Sequence, residues 1–417
     1  MLSKSDTDGP SKAGKDSHGY LPLFLTSILL ISALVAAFNL VVDPAARTLL
    51  VDKPGFNQVK IGLPGNSRKG KANALRQCDY DALILGTSDA ETGISVAHPA
   101  LGESRAYNAA LRGASPYEIR RLVDYALQHQ QLKVAVLGLD FSTFNTRVIS
   151  LDDFADSPLA ETVSLDSMGR YLFSLRTFSR SVDTLWRNSQ GNAADLLCSD
   201  NGEHKASYEI PPARKAFNFI LSGYARDQYS NYVPGELHFQ HLAALLQQLI
   251  AADVPVYAFI SPSHLIQLEL ISEMGLLDDY EDWERHLVRI FAEANRNVPE
   301  QRQAILWDFA GYSPITTEKV PALDGEKYMR WYSDPVHYNQ NVGNLMLDYM
   351  FGLQAEAGVT RPSFGTRLTV ENVETVIAAT QRDLERYRRD NPEEIAQLNE
   401  TLRSLHIKTS ESGATSH

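Results

Sequence analysis

The chain has 417 residues, 44% of them hydrophobic and 22% charged, with a formal net charge of −12. That is ample apolar material for a large core in one or two domains. The acidic balance argues against a nucleic-acid binder, which needs a basic surface to neutralise phosphates, and gives the chain as a whole little reason to bind anionic lipid headgroups.

Residues 1–18, "MLSKSDTDGPSKAGKDSH", are polar and read as a disordered cytoplasmic tail. Residues 19–42 carry no Asp, Glu, Lys, Arg or His. At about 1.5 Å per residue such a helix reaches past a hydrocarbon core of roughly 30 Å, so it reads as a transmembrane signal anchor. A cleaved signal peptide is the rival reading, but its apolar region is usually half as long. Lys4, Lys12 and Lys15 before the span face Arg47, Lys53 and Lys60 after it, so the positive-inside rule hardly discriminates. A short tail ahead of one span and a long domain behind it point to export. The expected location is a bacterial inner membrane, single-pass, with the C-terminal domain in the periplasm or outside.

Residues 43–77, with several Gly and Pro and the basic cluster "NSRKGKANALR", read as an extended lead-in. From 78 to 355 short apolar runs alternate with amphipathic stretches, the pattern of strands and helices in a parallel sheet. The strands are expected at 81–86, 104–110, 133–139, 254–260 and 304–309. Helices are expected at 115–130, with Ser115 as cap and Pro116 at the first position, at 235–254 and at 339–353. This order predicts an α/β fold with a three-layer, doubly wound parallel sheet. Residues 140–234 are rich in Ser, Asp, Asn and Tyr, with only fragments of helix, and read as an insertion where ligand-contacting loops collect. Residues 356–417 form a charged helical tail, with a break expected at Pro392.

Cys78 and Cys198 pair in an oxidising compartment and are unrelated thiols in a reducing one; both readings stay open. Neither has a second Cys or a His at ligand spacing, so no zinc site is expected, and no metal or organic cofactor is implied.

Ser88 follows the first apolar run, at the carboxyl edge of the expected sheet. Backbone N–H groups at such a turn can face a developing oxyanion. Asp334 and His337 stand three apart in "WYSDPVHYN", just ahead of the last helix of the sheet region. A serine hydroxyl becomes a nucleophile when an imidazole takes its proton, and the imidazole works best when a carboxylate fixes its tautomer. The bland alternative for each motif is an ordinary turn, and it is their combination that favours chemistry. Glu91 is expected to cap the Ser88 turn. His264 is a candidate substrate contact, with helix capping the more common role for such a loop histidine. Tyr224, Tyr229, Tyr232, Trp283, Trp331 and Tyr332 are candidates for a sugar-binding platform or for packing.

Together "GTSD" (86–89), "YNAALRGAS" (107–115) and "DPVH" (334–337) resemble the blocks of the SGNH/GDSL hydrolase superfamily over residues 80–353. The resemblance implies Ser88 as nucleophile, His337 as base, Asp334 as its partner, and the N–H groups of Ser88 and Gly113 as oxyanion donors. The third block departs: where the family has an asparagine, "GLDF" (138–141) places Asp140, and an ionised carboxylate repels an oxyanion. Asn108 or Asn145 as substitute amide, or a protonated Asp140, are the open alternatives. "LGTS" with an N-terminal anchor resembles, within the superfamily, the membrane-anchored extracytoplasmic proteins of polysaccharide O-acetylation and teichoic acid D-alanylation. These work beside a multi-span membrane acyltransferase. The expected function is therefore a serine-dependent acyl esterase or O-acyltransferase on a cell-envelope or secreted polysaccharide. Its alternative is a catalytically weak or inactive SGNH-fold glycan-binding or scaffold protein.

Overall fold

The computed structural model describes residues 17–60, 63–147, 152–161, 165–203, 211–323, 328–354 and 362–407. They divide into two compact units. One joins the described residues up to 60 with 165–193; the other joins those from 63 to 161 with those from 194 onward. The expected tail at 1–18 lies outside the described residues except for its last two, which begin a helix, and the C-terminal segment is described only between 362 and 407.

The larger unit is a mixed α/β fold around a six-stranded sheet. The strands are β1 (Ala82–Leu85), β2 (Ala106–Asn108), β3 (Val134–Leu139), β4 (Val256–Ile260), β5 (Ile305–Asp308) and β6 (Thr366–Arg367), in the order β2-β1-β3-β4-β5-β6. The first five are parallel, and β6 pairs antiparallel to β5. "ALIL" in β1 is buried throughout and "VAVLGL" in β3 nearly so, as expected of strands covered on both faces. Each parallel strand falls within its expected range. β6, two exposed residues without periodicity, was not expected.

Helices Pro116–His129, Glu236–Ala251 and Leu277–Ala294 pack side by side in that order, while Ser88–Gly93 packs on Gln340–Met350. The charged C-terminal segment is β6 followed by helices Val373–Asp390 and Pro392–Ser404, interrupted at Asn391. Proline stands at the first position of the second helix, where its missing N–H costs nothing.

The expected extended lead-in is corrected in its second half. Residues 68–77 are a helix capped by Ser67, whose hydroxyl accepts from the Gly70 N–H. Its basic residues point inward to acids: Arg68 pairs with fully buried Glu118 at 2.5 Å, and fully buried Lys71 pairs with Glu91 at 2.9 Å. Just beyond this helix Cys78 forms a disulfide with Cys198 across a separation of 120 residues. Closing so long a loop in the unfolded chain is worth about 5 kcal/mol in the loop-entropy account.

The smaller unit gathers helix Ser17–Val42, the turns that follow it, and helices Leu165–Leu172 and Leu175–Ser189. The first helix is long and apolar enough to cross a membrane over Tyr20–Val42. Its C-terminal carbonyls are closed off locally: the Asn57 amide donates to Val41 O and Val42 O at 3.0 Å, and the buried Lys60 ammonium donates to Val42 O at 3.0 Å. The expected insertion at 140–234 is thus not one element, since residues 165–193 belong to this unit and its other described residues to the α/β unit.

Candidate active site

Strand β1 is followed by Gly86, at φ +135°, where a Cβ would meet the Ala90 methyl at 3.0 Å and the Gly138 carbonyl at 3.1 Å. Only glycine makes this turn without displacing β3. Thr87 then caps the short helix Ser88–Gly93, which puts the half-buried Ser88 side chain at the carboxyl edge of the sheet.

The second half of the site comes from the turn before helix Gln340–Met350. Asp334 Oδ1 accepts the N–H groups of Val336 (3.0 Å) and His337 (2.9 Å), folding Asp-Pro-Val-His back on itself. Asp334 Oδ2 lies 2.6 Å from His337 Nδ1, and His337 Nε2 lies 2.9 Å from Ser88 Oγ. With Nδ1–H donated to the carboxylate, Nε2 is left to accept the serine proton. Burial pulls the His337 pKa down, but the charge and hydrogen bond of Asp334, aided by the Asp89 charge, outweigh it and raise it to about 9.

A cleft of about 340 Å³ opens over Ser88, lined by Thr87, Gly113, Ser142, Thr143, Tyr224 and others. Gly113 has φ +58°, and a Cβ there would meet nothing within 4 Å. Neither the Ser88 nor the Gly113 N–H is spent on a backbone acceptor among the described residues. Tyr224 opens a single π-helical turn, Tyr224–Tyr229, a distortion that frequently marks functional sites.

The other expected contacts fall elsewhere. Asp140 lines a small adjoining cavity of about 40 Å³ with Asp89 and Ser261, which shares Ser142 and Tyr224 with this cleft. Its Oδ2 accepts the Thr87 hydroxyl at 2.5 Å, which ties the Asp140 carboxylate to the turn that carries Ser88. Asn108 is fully buried and wholly used: its amide donates to Ala90 O, Glu91 O and Ile94 O, and its Oδ1 accepts from Ala110 N–H. Asn145 donates to Gln228 O and accepts from Arg147 and Val233 N–H groups. Neither asparagine is an oxyanion donor. His264 is buried, with Nε2 at 2.6 Å from Glu318 O and Nδ1 accepting from Ile266 N–H, and burial lowers its pKa to about 4. It is a neutral helix cap, and the expected substrate contact is withdrawn. Glu91 does not cap the Ser88 turn but sits between Lys71 and Arg112. Of the aromatic residues proposed as a platform, Tyr224 lines the cleft, while Trp283, Tyr229 and Tyr332 are buried.

Asp89 was not singled out in the sequence. Its buried carboxylate lies 3.5 Å from both His337 Nε2 and Ser88 Oγ. Burial, then the neighbouring Asp140 charge, push its pKa well up. Burial also raises the Asp140 pKa, opposed by its polar neighbours, among them the Thr87 hydroxyl that donates to its Oδ2. No protein-family model matches the chain, and no curated protein matches it.

A negative Asp89 raises the His337 pKa, so removing that charge lowers it. The acylation rate of Ser88, which needs neutral His337, climbs with pH through that pKa. Asp89→Asn is therefore expected to move the limb toward lower pH. A rate profile with an irreversible serine reagent measures this, and a limb moved to higher pH would contradict the assignment.

Proposed function

We propose that this chain is a serine-dependent acyl esterase or O-acyltransferase, held by its N-terminal span with the α/β unit outside the cytoplasm, and acting on a cell-envelope or secreted polysaccharide. The observation that carries the reading is the continuous relay from Ser88 Oγ through His337 to Asp334, at 2.9 and 2.6 Å, at the floor of an open cleft. The resemblance of the three sequence blocks to the SGNH superfamily agrees with it. So does the helix grouping, which suits a three-layer, doubly wound sheet. The disulfide fits an oxidising compartment such as the periplasm. A multi-span membrane acyltransferase is the proposed acyl supplier.

In the proposed first step Ser88 Oγ attacks the carbonyl carbon of an ester while its proton passes to His337 Nε2. The charge developing on the carbonyl oxygen faces the Ser88 and Gly113 N–H groups. Collapse breaks the ester C–O bond, the leaving alcohol takes the proton from His337, and an acyl-serine remains. Water or a sugar hydroxyl then gives its proton to His337 and attacks the acyl carbon; the acyl–Oγ bond breaks, and Ser88 Oγ takes the proton back from His337. Exclusion of water from the cleft decides which product forms.

Intact mass spectrometry of the protein after exposure to a fluorophosphonate tests the reading. One adduct is expected, absent from Ser88→Ala. No adduct under conditions where a known serine esterase labels fully would transfer the weight to a glycan-binding role without turnover.

A further inference from the structure

Helix Leu175–Ser189 is built inside out. Its buried face carries Thr177, Ser181, Thr184 and Asn188, while Leu175, Phe178, Val182 and Trp186 are 76, 38, 48 and 62% exposed. Both sets recur every three or four residues, so each forms one stripe along the helix. A water-facing surface helix has the opposite arrangement. Small polar residues between helices and large apolar ones outside are the pattern of helices packed in lipid.

The contacts of the polar stripe locate it. Ser181 Oγ donates to Asn39 Oδ1 at 3.0 Å, and the Asn39 amide donates to Leu172 O at 2.8 Å and Ser174 O at 3.2 Å. Asn39 lies near the exit end of helix Ser17–Val42, where the Phe38 and Phe178 rings meet at 5.1 Å. Through that ring pair the apolar stripe continues the exposed apolar surface of the span, which includes Leu29, Leu30 and Leu34. At the ends of the preceding short helix, Leu165 and Phe173 are 91 and 59% exposed. A third stripe holds Arg176, Arg180 and Arg187 with Asp183, three positive charges against one negative, or +2, in a chain of −12. Apolar and basic stripes side by side, with a tryptophan on the apolar one, suit a helix lying at the headgroup boundary.

We infer that residues 165–189 form a lipid-binding hairpin seated in the leaflet that the N-terminal span leaves, with Leu175, Phe178, Val182 and Trp186 in the acyl boundary and Arg176 and Arg180 at lipid phosphates, Arg187 being paired with Asp183 at 3.0 Å. This rests on reading Tyr20–Val42 as a membrane span, and does not depend on the chemistry at Ser88. The hairpin fixes the juxtamembrane end of the chain to the bilayer surface by a second attachment.

The test uses the full chain reconstituted in vesicles of phosphatidylethanolamine and phosphatidylglycerol, with and without a lipid carrying a shallow doxyl group. Subtracting the Trp186→Phe emission isolates Trp186 from the other tryptophans. Doxyl lipid is expected to quench that component severalfold more than aqueous acrylamide does. Leu175→Asp with Val182→Asp, both on the exposed stripe, is expected to reverse that preference while leaving the thermal transition in place. Free quenching by acrylamide with none by doxyl lipid would overturn the inference and leave the stripe to a protein partner. Flotation with the vesicles reports separately on the span: a chain that does not float sinks the span reading, and with it the hairpin.

Discussion

Asp334→Asn is expected to slow phosphonylation of Ser88 by a fluorophosphonate by about three to four orders of magnitude, as loss of the orienting carboxylate does in serine triads generally. The fold of the turn survives the change, because an asparagine Oδ1 still accepts the N–H groups of Val336 and His337 that Asp334 now holds. What changes is the atom facing His337 Nδ1, now a carboxylate oxygen at 2.6 Å. With the amide oxygen committed to the turn, the amide NH₂ faces Nδ1, and the ring keeps its proton on Nε2 instead. That nitrogen then meets Ser88 Oγ as a donor and cannot take its proton. The pH profile carries a second signature. Asp334 raises the His337 pKa to about 9, so its neutral replacement moves the residual rate limb toward lower pH. Labelling rates of the two proteins across the pH range test both effects. A variant within about tenfold of the wild type would remove Asp334 from the relay.

The sheet and the Asp334–His337 half of the relay were legible in the sequence because both write themselves locally. Apolar runs such as "VAVLGL" mark strands covered on two faces, and Asp334 with His337 sits on one turn whose hydrogen bonds are made within four residues. Asp89 was not legible, since its surroundings come from the ends of β3 and β4, Asp140 and Ser261. Nothing beside it in "GTSDAE" signals a buried acid pair. Lys71 and Arg68 read as a solvated basic cluster for the same reason, their acids being Glu91 and Glu118 in distant segments. Helix Leu175–Ser189 was lost for a different physical cause. Sequence reading assumes that the apolar stripe points inward, and here Ser, Thr and Asn occupy the buried face, so the segment read as polar insertion. The exposed stripe was regular all along, at 175, 178, 182 and 186.

The largest expected effect on stability belongs to Lys71. Its ammonium is fully buried and donates to Glu91 Oε1 (2.9 Å), Asn108 O (3.1 Å), Ala110 O (2.5 Å) and Gly202 O (3.3 Å). Burial lowers its pKa, and the Glu91 charge opposes that. Removing the cation leaves three carbonyls without this donor and a buried Glu91 that, among the described residues, keeps Arg112 at 2.5 Å as its ion-pair partner. Breaking a buried pair from one side costs about 3–5 kcal/mol, because the remaining charge stays desolvated. Lys71→Met, which keeps most of the volume, is therefore expected to lose about that much, read as a lower urea midpoint of the full chain. A loss under about 1 kcal/mol would show the network to be replaceable. The same substitution reaches the site. Lys71 holds Asn108 and Ala110 at the start of the loop that ends in Gly113, and Glu91 holds the Arg112 guanidinium beside it. In the proposed enzyme, phosphonylation of Ser88 by the fluorophosphonate is then slowed in Lys71→Met even below the unfolding transition. Adding Glu91→Gln removes the stranded charge, so the double variant recovers stability. It does not recover the labelling rate, because the loop before Gly113 still lacks its anchor.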